Sequence, residues 1–228
     1  MAHRTGIIFR GFAIAFAIAL FGCGLWLQLA EYYQPAFQNL PVDAQSARVA
    51  ANARDDANRA AAIGVWRGDL WAESSYTYAL LLWPNRLEGD QASRSSDQAR
   101  YSVDMTLSEA PHNADVWLLL AGLSVRFNWA TPNAIAALKM SYYTGPSKLS
   151  LIPLRLSLAA KSNALDDSEI QQFVQRDLHI VLSEKQELKP AIVAAFHEAS
   201  AEHQRDLERI ILDIDPGFAK MLQSPIPN

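Results

Sequence analysis

The sequence predicts an all-α fold: one N-terminal transmembrane helix followed by an array of α-hairpins. Three observations carry that expectation. Residues 11–30, GFAIAFAIALFGCGLWLQLA, run for twenty positions without a charge, and at about 1.5 Å per residue such a helix crosses the ~30 Å hydrocarbon layer. A helix-ending phrase also recurs: Ala99, Val103, Thr106 and Pro111 are followed thirty-five positions later by Ala134, Leu138, Ser141 and Pro146. A third copy stands upstream in Ala72, Tyr76, Ala79 and Pro84. Small residues admit a neighbouring helix, the larger one fills the gap, and proline blocks continuation. Finally, alanine, leucine and glutamine are plentiful while β-branched runs are short, a balance that favours helix over sheet.

In chain order, residues 1–10 form a cytoplasmic N-terminus, 11–30 the anchor, 31–43 a linker, 44–223 a helical domain and 224–228 a flexible tail. Arg4 and Arg10 precede the apolar run, and Glu31 and Asp43 follow it. The positive-inside rule then puts the N-terminus in the cytoplasm and the domain in the periplasm. Trp26, Tyr32 and Tyr33 suit the outer membrane–water interface. Two other readings of this segment stay open. A cleavable signal peptide is opposed by Gln28 before Ala30 and by the length of the apolar run. A lipoprotein signal is suggested by Leu20-Phe-Gly-Cys23-Gly, although Phe21 is bulky and the run continues past Cys23.

Pro35 and Pro41 bracket an extended link. Residues 44–65 read as one alanine-rich helix, broken by Arg67-Gly68-Asp69 with Asp69 as cap, and 70–83 as its partner with Ala72, Tyr76 and Ala79 inward. Residues 83–98 are polar and Ser-rich and read as the one long loop. Helices are expected near 95–110, 114–127, 132–144 and 147–161. Trp117 should lie buried between the helices carrying Ala99 and Ala134. Thr131-Pro132 is a start signal, and Gly145 suits a left-handed cap. Pro153 should kink the following helix or begin it. Asp166-Asp167-Ser168-Glu169 opens a helix over 170–182, Pro190 lies in the first turn of one over 187–201, and 202–214 follows before Asp215-Pro216 starts the last.

The segment from Ala114 to Pro146 resembles the tetratricopeptide repeat family. Trp117, Leu120 and Ala121 match the first-helix pattern, with Ala121 in place of Gly and Ser124 in place of Tyr. Ala134, Leu138, Ser141 and Pro146 match the second. The unit is one residue longer than the family's 34-residue period, and the likeness covers roughly residues 50–146. It implies stacked hairpins with a concave face that holds extended protein segments. The stretch 142–156, YYTGPSKLSLIPLRL, is also similar to envelope proteins of alphaproteobacteria, some linked to polysaccharide export.

The 228 residues carry a net charge of −4; Arg4 and Arg10 are the only charges among the first thirty, so the rest is −6. An acidic domain without a basic stripe argues against nucleic acid. One cysteine rules out an intrachain disulfide and a cysteine-cluster metal site. His197 and His203 are six apart, about 240° around a helix, so they do not share an ion from one face; both read as solvent-facing. Asp213 and Asp215 read as turn residues. No phosphate loop, nucleophile elbow or Cys/His pair is present. The expected protein is therefore not an enzyme and takes no cofactor or metal. Its partners are proteins of the inner membrane or periplasm. Trp66, Trp71, Trp129 and Tyr142 are the candidate partner groove, and Gly11, Ala15, Gly22 and Gly24 the candidate contact face of the membrane helix. An accessory subunit packing through its anchor, or an envelope hydrolase using Glu73, Asp104 and Glu109, are the alternatives.

Overall fold

Five side chains fix where five helices start. Asp43, Asn113, Asn133, Asp167 and Ser200 each accept from backbone N–H groups one to three residues into the following helix, satisfying donors that have no intrahelical partner. The computed structural model describes residues 2–35, 37, 39–83, 89–129 and 133–223. Among these are twelve α-helices and four short 3-10 turns, with no strand. The all-α expectation holds.

The first six helices are α1 (Ala2–Tyr33), α2 (Ala44–Asn52), α3 (Arg54–Ile63), α4 (Gly68–Tyr76), α5 (Gly89–Glu109) and α6 (Ala114–Phe127). The last six are α7 (Ala134–Thr144), α8 (Ile152–Lys161), α9 (Ser168–Ser183), α10 (Lys189–Glu198), α11 (Ala201–Ile214) and α12 (Pro216–Gln223). Consecutive helices pack as hairpins from α3 through α7, with α4 against α5 and α6 against α7. Beyond α7 the pattern changes, because α8 packs mainly on α10 rather than on its successor. One core runs from Leu40 to Leu222, and a smaller cluster of Ala30, Ala60, Ala61, Leu70 and Trp71 joins α1 to the α3–α4 hairpin. The repeated phrases point inward: Ala72, Tyr76, Ala79, Ala99, Val103, Thr106, Leu138 and Ser141 are buried, and Ala134 is half-buried.

Several expectations are corrected. Residues 44–65 form two helices, not one. Beside the break at Ala53, the Arg54 guanidinium sits 4.3 Å from the Tyr78 ring centroid and donates to Thr77 O at 2.9 Å. The α4 cap is Arg67 rather than Asp69, whose carboxylate accepts from the Arg67 side chain. The long polar loop is helical from Gly89 onward. Its serines back-bond to the helix instead of breaking it, as Ser96 Oγ does to Ser93 O at 2.8 Å. Asn133 caps α7. Trp117 is only half-buried, its indole N–H donating to Pro111 O at 2.7 Å. The upstream phrase's Pro84, the Thr131-Pro132 start and the tail 224–228 lie outside the described residues.

Gly145 is not left-handed, with φ −145°. A Cβ there would stand 2.5 Å from the Ala114 Cβ, so glycine is needed for the close approach of the α6 start to the α7 end. The linker is docked rather than free. Leu40 is buried and its N–H donates to Asp115 Oδ1 at 3.2 Å, while the other Asp115 oxygen pairs with Lys148. His203, expected in solvent, is buried between α11 and α8, with Nδ1 3.2 Å from Ala160 O and Nε2 3.5 Å from Asp166. His197 is exposed, as expected.

Candidate functional site

The end of α1 meets the α3–α4 hairpin in a graded series of contacts. Arg59 stands 5.9 Å from the Tyr33 ring centroid, Ala30 packs among Ala60 and Ala61, and the Trp26 indole N–H donates to Ile63 O at 2.8 Å. Positions 26, 30 and 33 form one helical face at spacings of four and three. Their partners ascend from 59 to 63 as α1 descends from 33 to 26, so α3 runs antiparallel to α1. Arg67 completes the joint by pairing with both Glu31 and Asp69. Those two carboxylates, Asp69 foremost, hold its guanidinium firmly protonated, and Arg67 in turn draws the Asp69 carboxyl below its ordinary range.

From Gly11 to Leu29 α1 touches almost nothing. Every residue of that stretch is exposed, and 11–33 is the one helix among the described residues long and apolar enough to cross a membrane. Gly11, Gly22 and Gly24 have open space where a Cβ would be, and Ala15 is exposed beside them. Cys23 is likewise exposed.

A cleft of about 590 Å³ lies between α3 and α5 with α4 as its floor. Its size is that of a small-ligand or side-chain pocket. Val65, Trp71, Tyr101 and Met105 line the end nearest the α3–α4 turn, and Asn58, Tyr78 and Gln98 the other. Trp71 is fixed there by an edge contact to Tyr101, with ring centroids 5.5 Å apart, and by donating to Val65 O at 3.0 Å.

The structure does not gather the four expected groove residues into one surface. Trp71 lines the cleft, and Trp66 projects at 86 % exposure from the neighbouring turn. Trp129 is half-buried, stacked near Phe127 with Arg100 over its ring. Tyr142 is 1 % exposed and offers no surface. Tyr101 and Met105 are the cleft residues that sequence reading missed. Their spacing of four on α5, inside the helix expected near 95–110, was the available signal. Of the carboxylates, Glu73 is buried and accepts from Gln34 Nε2 at 2.5 Å, whereas Asp104 and Glu109 are exposed on α5. No cluster of three or more His, Cys, Asp or Glu suited to a metal occurs among the described residues.

A second polar cluster, invisible in the sequence, sits inside the domain. Arg155 of α8 is fully buried, donating to Ser141 O, to Ser141 Oγ at 3.1 Å and to Gly145 O at 3.0 Å, with its guanidinium 4.4 Å from the Tyr142 ring centroid. Asp177 of α9 is 1 % exposed, 3.9 Å from Arg176. Burial pushes the Asp177 carboxyl up to about 6, with Arg155 and Arg176 pulling the other way. Burial, then the Asp177 charge, raise the Tyr142 hydroxyl well above its ordinary range. Apart from Arg176, which is partly exposed, the cluster is buried, and it ties α7, α8 and α9 together.

Comparison with known protein families, with curated proteins and with solved structures yields no match.

Proposed function

We propose that this chain is a membrane-anchored scaffold of a bacterial envelope complex. In this reading α1 crosses the inner membrane, residues 1–10 stay in the cytoplasm, and the domain works in the periplasm on protein partners. One observation carries it: α1 is bare along its apolar length yet joined to the domain at its far end through Trp26, Ala30, Glu31 and Arg67. A leader that is cut away has no use for specific contacts with the mature domain. The arginines before the span and the acids after it support the orientation.

The domain contributes packed hairpins and an aromatic cleft, both suited to holding a protein segment. The likeness of 142–156 to envelope proteins directs the reading toward polysaccharide synthesis or export. A second reading, an accessory subunit held through its anchor, is favoured by the open space around Gly11, Gly22 and Gly24, since small residues let helices approach closely in lipid. The hydrolase reading is weaker, because it needs buried Glu73 to act with exposed Asp104 and Glu109.

Photocrosslinkers at Gly22 and at Tyr101 in intact cells test the proposal. Each is expected to trap a defined protein partner, and Asp104→Asn and Glu109→Gln are expected to leave both adducts and the cellular role intact. A carboxylate change that abolishes the role while every adduct survives would turn the reading toward an enzyme.

A further inference from the structure

We infer that the turn between α3 and α4 is a second membrane contact, with Trp66 and Val65 seated in the outer leaflet's interface beside α1. The inference rests on the anchor reading and goes beyond it by fixing how the domain stands on the bilayer.

Depth is set by the paired contacts along α1. As α1 descends from Tyr33 through Ala30 to Trp26, its partners move from Arg59 through Ala60 and Ala61 to Ile63. The α3–α4 turn therefore lies level with Trp26, seven residues or about 10 Å below Tyr33. The apolar span 11–33 has 23 residues, about 34 Å of helix against ~30 Å of hydrocarbon. The excess length lets its outer end project by about 2–4 Å, which puts Trp26 about 6–8 Å inside the outer edge of the hydrocarbon. That is within the roughly 5–10 Å to which interfacial segments bury their apolar side.

The turn is built for such a place. Trp66 is 86 % exposed and Val65 41 %, an apolar and aromatic tip that water alone does not favour. Backbone groups near lipid must be satisfied within the protein, and this turn meets much of that demand. Gly64 N donates to Ala60 O at 2.8 Å, Gly64 O accepts from Arg67 N at 2.7 Å, and Ile63 O and Val65 O accept from the Trp26 and Trp71 indoles. The nearby cation, Arg67, is paired with both Glu31 and Asp69. Tryptophan at the tip adds the amphipathic ring preferred at headgroup level.

Full-length protein in phosphatidylcholine–phosphatidylglycerol vesicles decides the matter. In a Cys23→Ser background, a nitroxide is attached at Ile18→Cys, Trp66→Cys or Tyr143→Cys, and collision with oxygen is compared with collision with a water-soluble nickel chelate. The expected oxygen-to-nickel ratio is highest at 18 and severalfold higher at 66 than at 143, which is exposed on the domain. A lipid-like ratio at 18 with equal, water-like ratios at 66 and 143 would overturn this contact and leave the anchor standing. A water-like ratio at 18 would overturn the anchor and this contact together.

Discussion

Arg155→Ala is expected to lower the unfolding free energy by about 3–5 kcal/mol, more than any other single exchange outside the apolar core. The arginine is fully buried, and its side chain satisfies the carbonyls of Ser141 and Gly145 at the end of α7 while its guanidinium faces Tyr142. Truncation leaves a cavity, strips the Ser141 and Gly145 oxygens of a charged donor while their backbone donors from Gly145 N and Lys148 N remain, and removes one of the two cations near Asp177. Each loss has the same sign. Urea unfolding of the detergent-solubilised chain, followed by circular dichroism, measures it, and Arg155→Lys should recover part of the loss by keeping charge and stem. A midpoint unchanged in Arg155→Ala would mean that α8 is not held to α7 through this residue.

The second large effect is a pH dependence. Burial raises the Asp177 carboxyl from an ordinary 3.8 to about 6. Between those values the folded chain keeps a proton that the unfolded chain has released. The stability this group contributes is thus greatest below pH 3.8, falls as pH rises to about 6 and is level above. At about 1.4 kcal/mol per unit, the fall is on the order of 3 kcal/mol. Asp177→Asn is expected to flatten that window and raise stability at neutral pH by up to ~3 kcal/mol. The exchange leaves Arg176 without this counter-charge, but Arg176 is partly exposed, and Arg155 retains the Ser141 and Gly145 oxygens. Urea midpoints of both chains between pH 4 and 8 are the measurement. Loss of stability in Asp177→Asn would show that pairing with the arginines outweighs the desolvation of Asp177.

Helix identity was legible because it rests on local pattern. The small–large–small phrases put Ala72, Tyr76, Ala99, Val103, Leu138 and Ser141 inside, and the 114–127 helix falls where its apolar run requires. What could not be read depends on distant partners. The Ser-rich start of α5 looks like loop until its hydroxyls are seen bonding the helix's own carbonyls. Tyr142 reads as a surface aromatic until Phe173, Arg155 and Arg176 close around it. His203 reads as solvated until α8 and the Asp166 turn meet its ring. Of the cleft lining, Trp71 was singled out in the sequence, whereas Tyr101 and Met105 come to it only through the packing of α5 on α4.

The intact mass of the chain purified from the membrane fraction tests the central claim most directly. If α1 is an anchor joined to its domain, the purified protein retains residues 11–30, with loss of Met1 at most. A mature chain beginning at Cys23 and bearing lipid, or one beginning beyond Ala30, would contradict it.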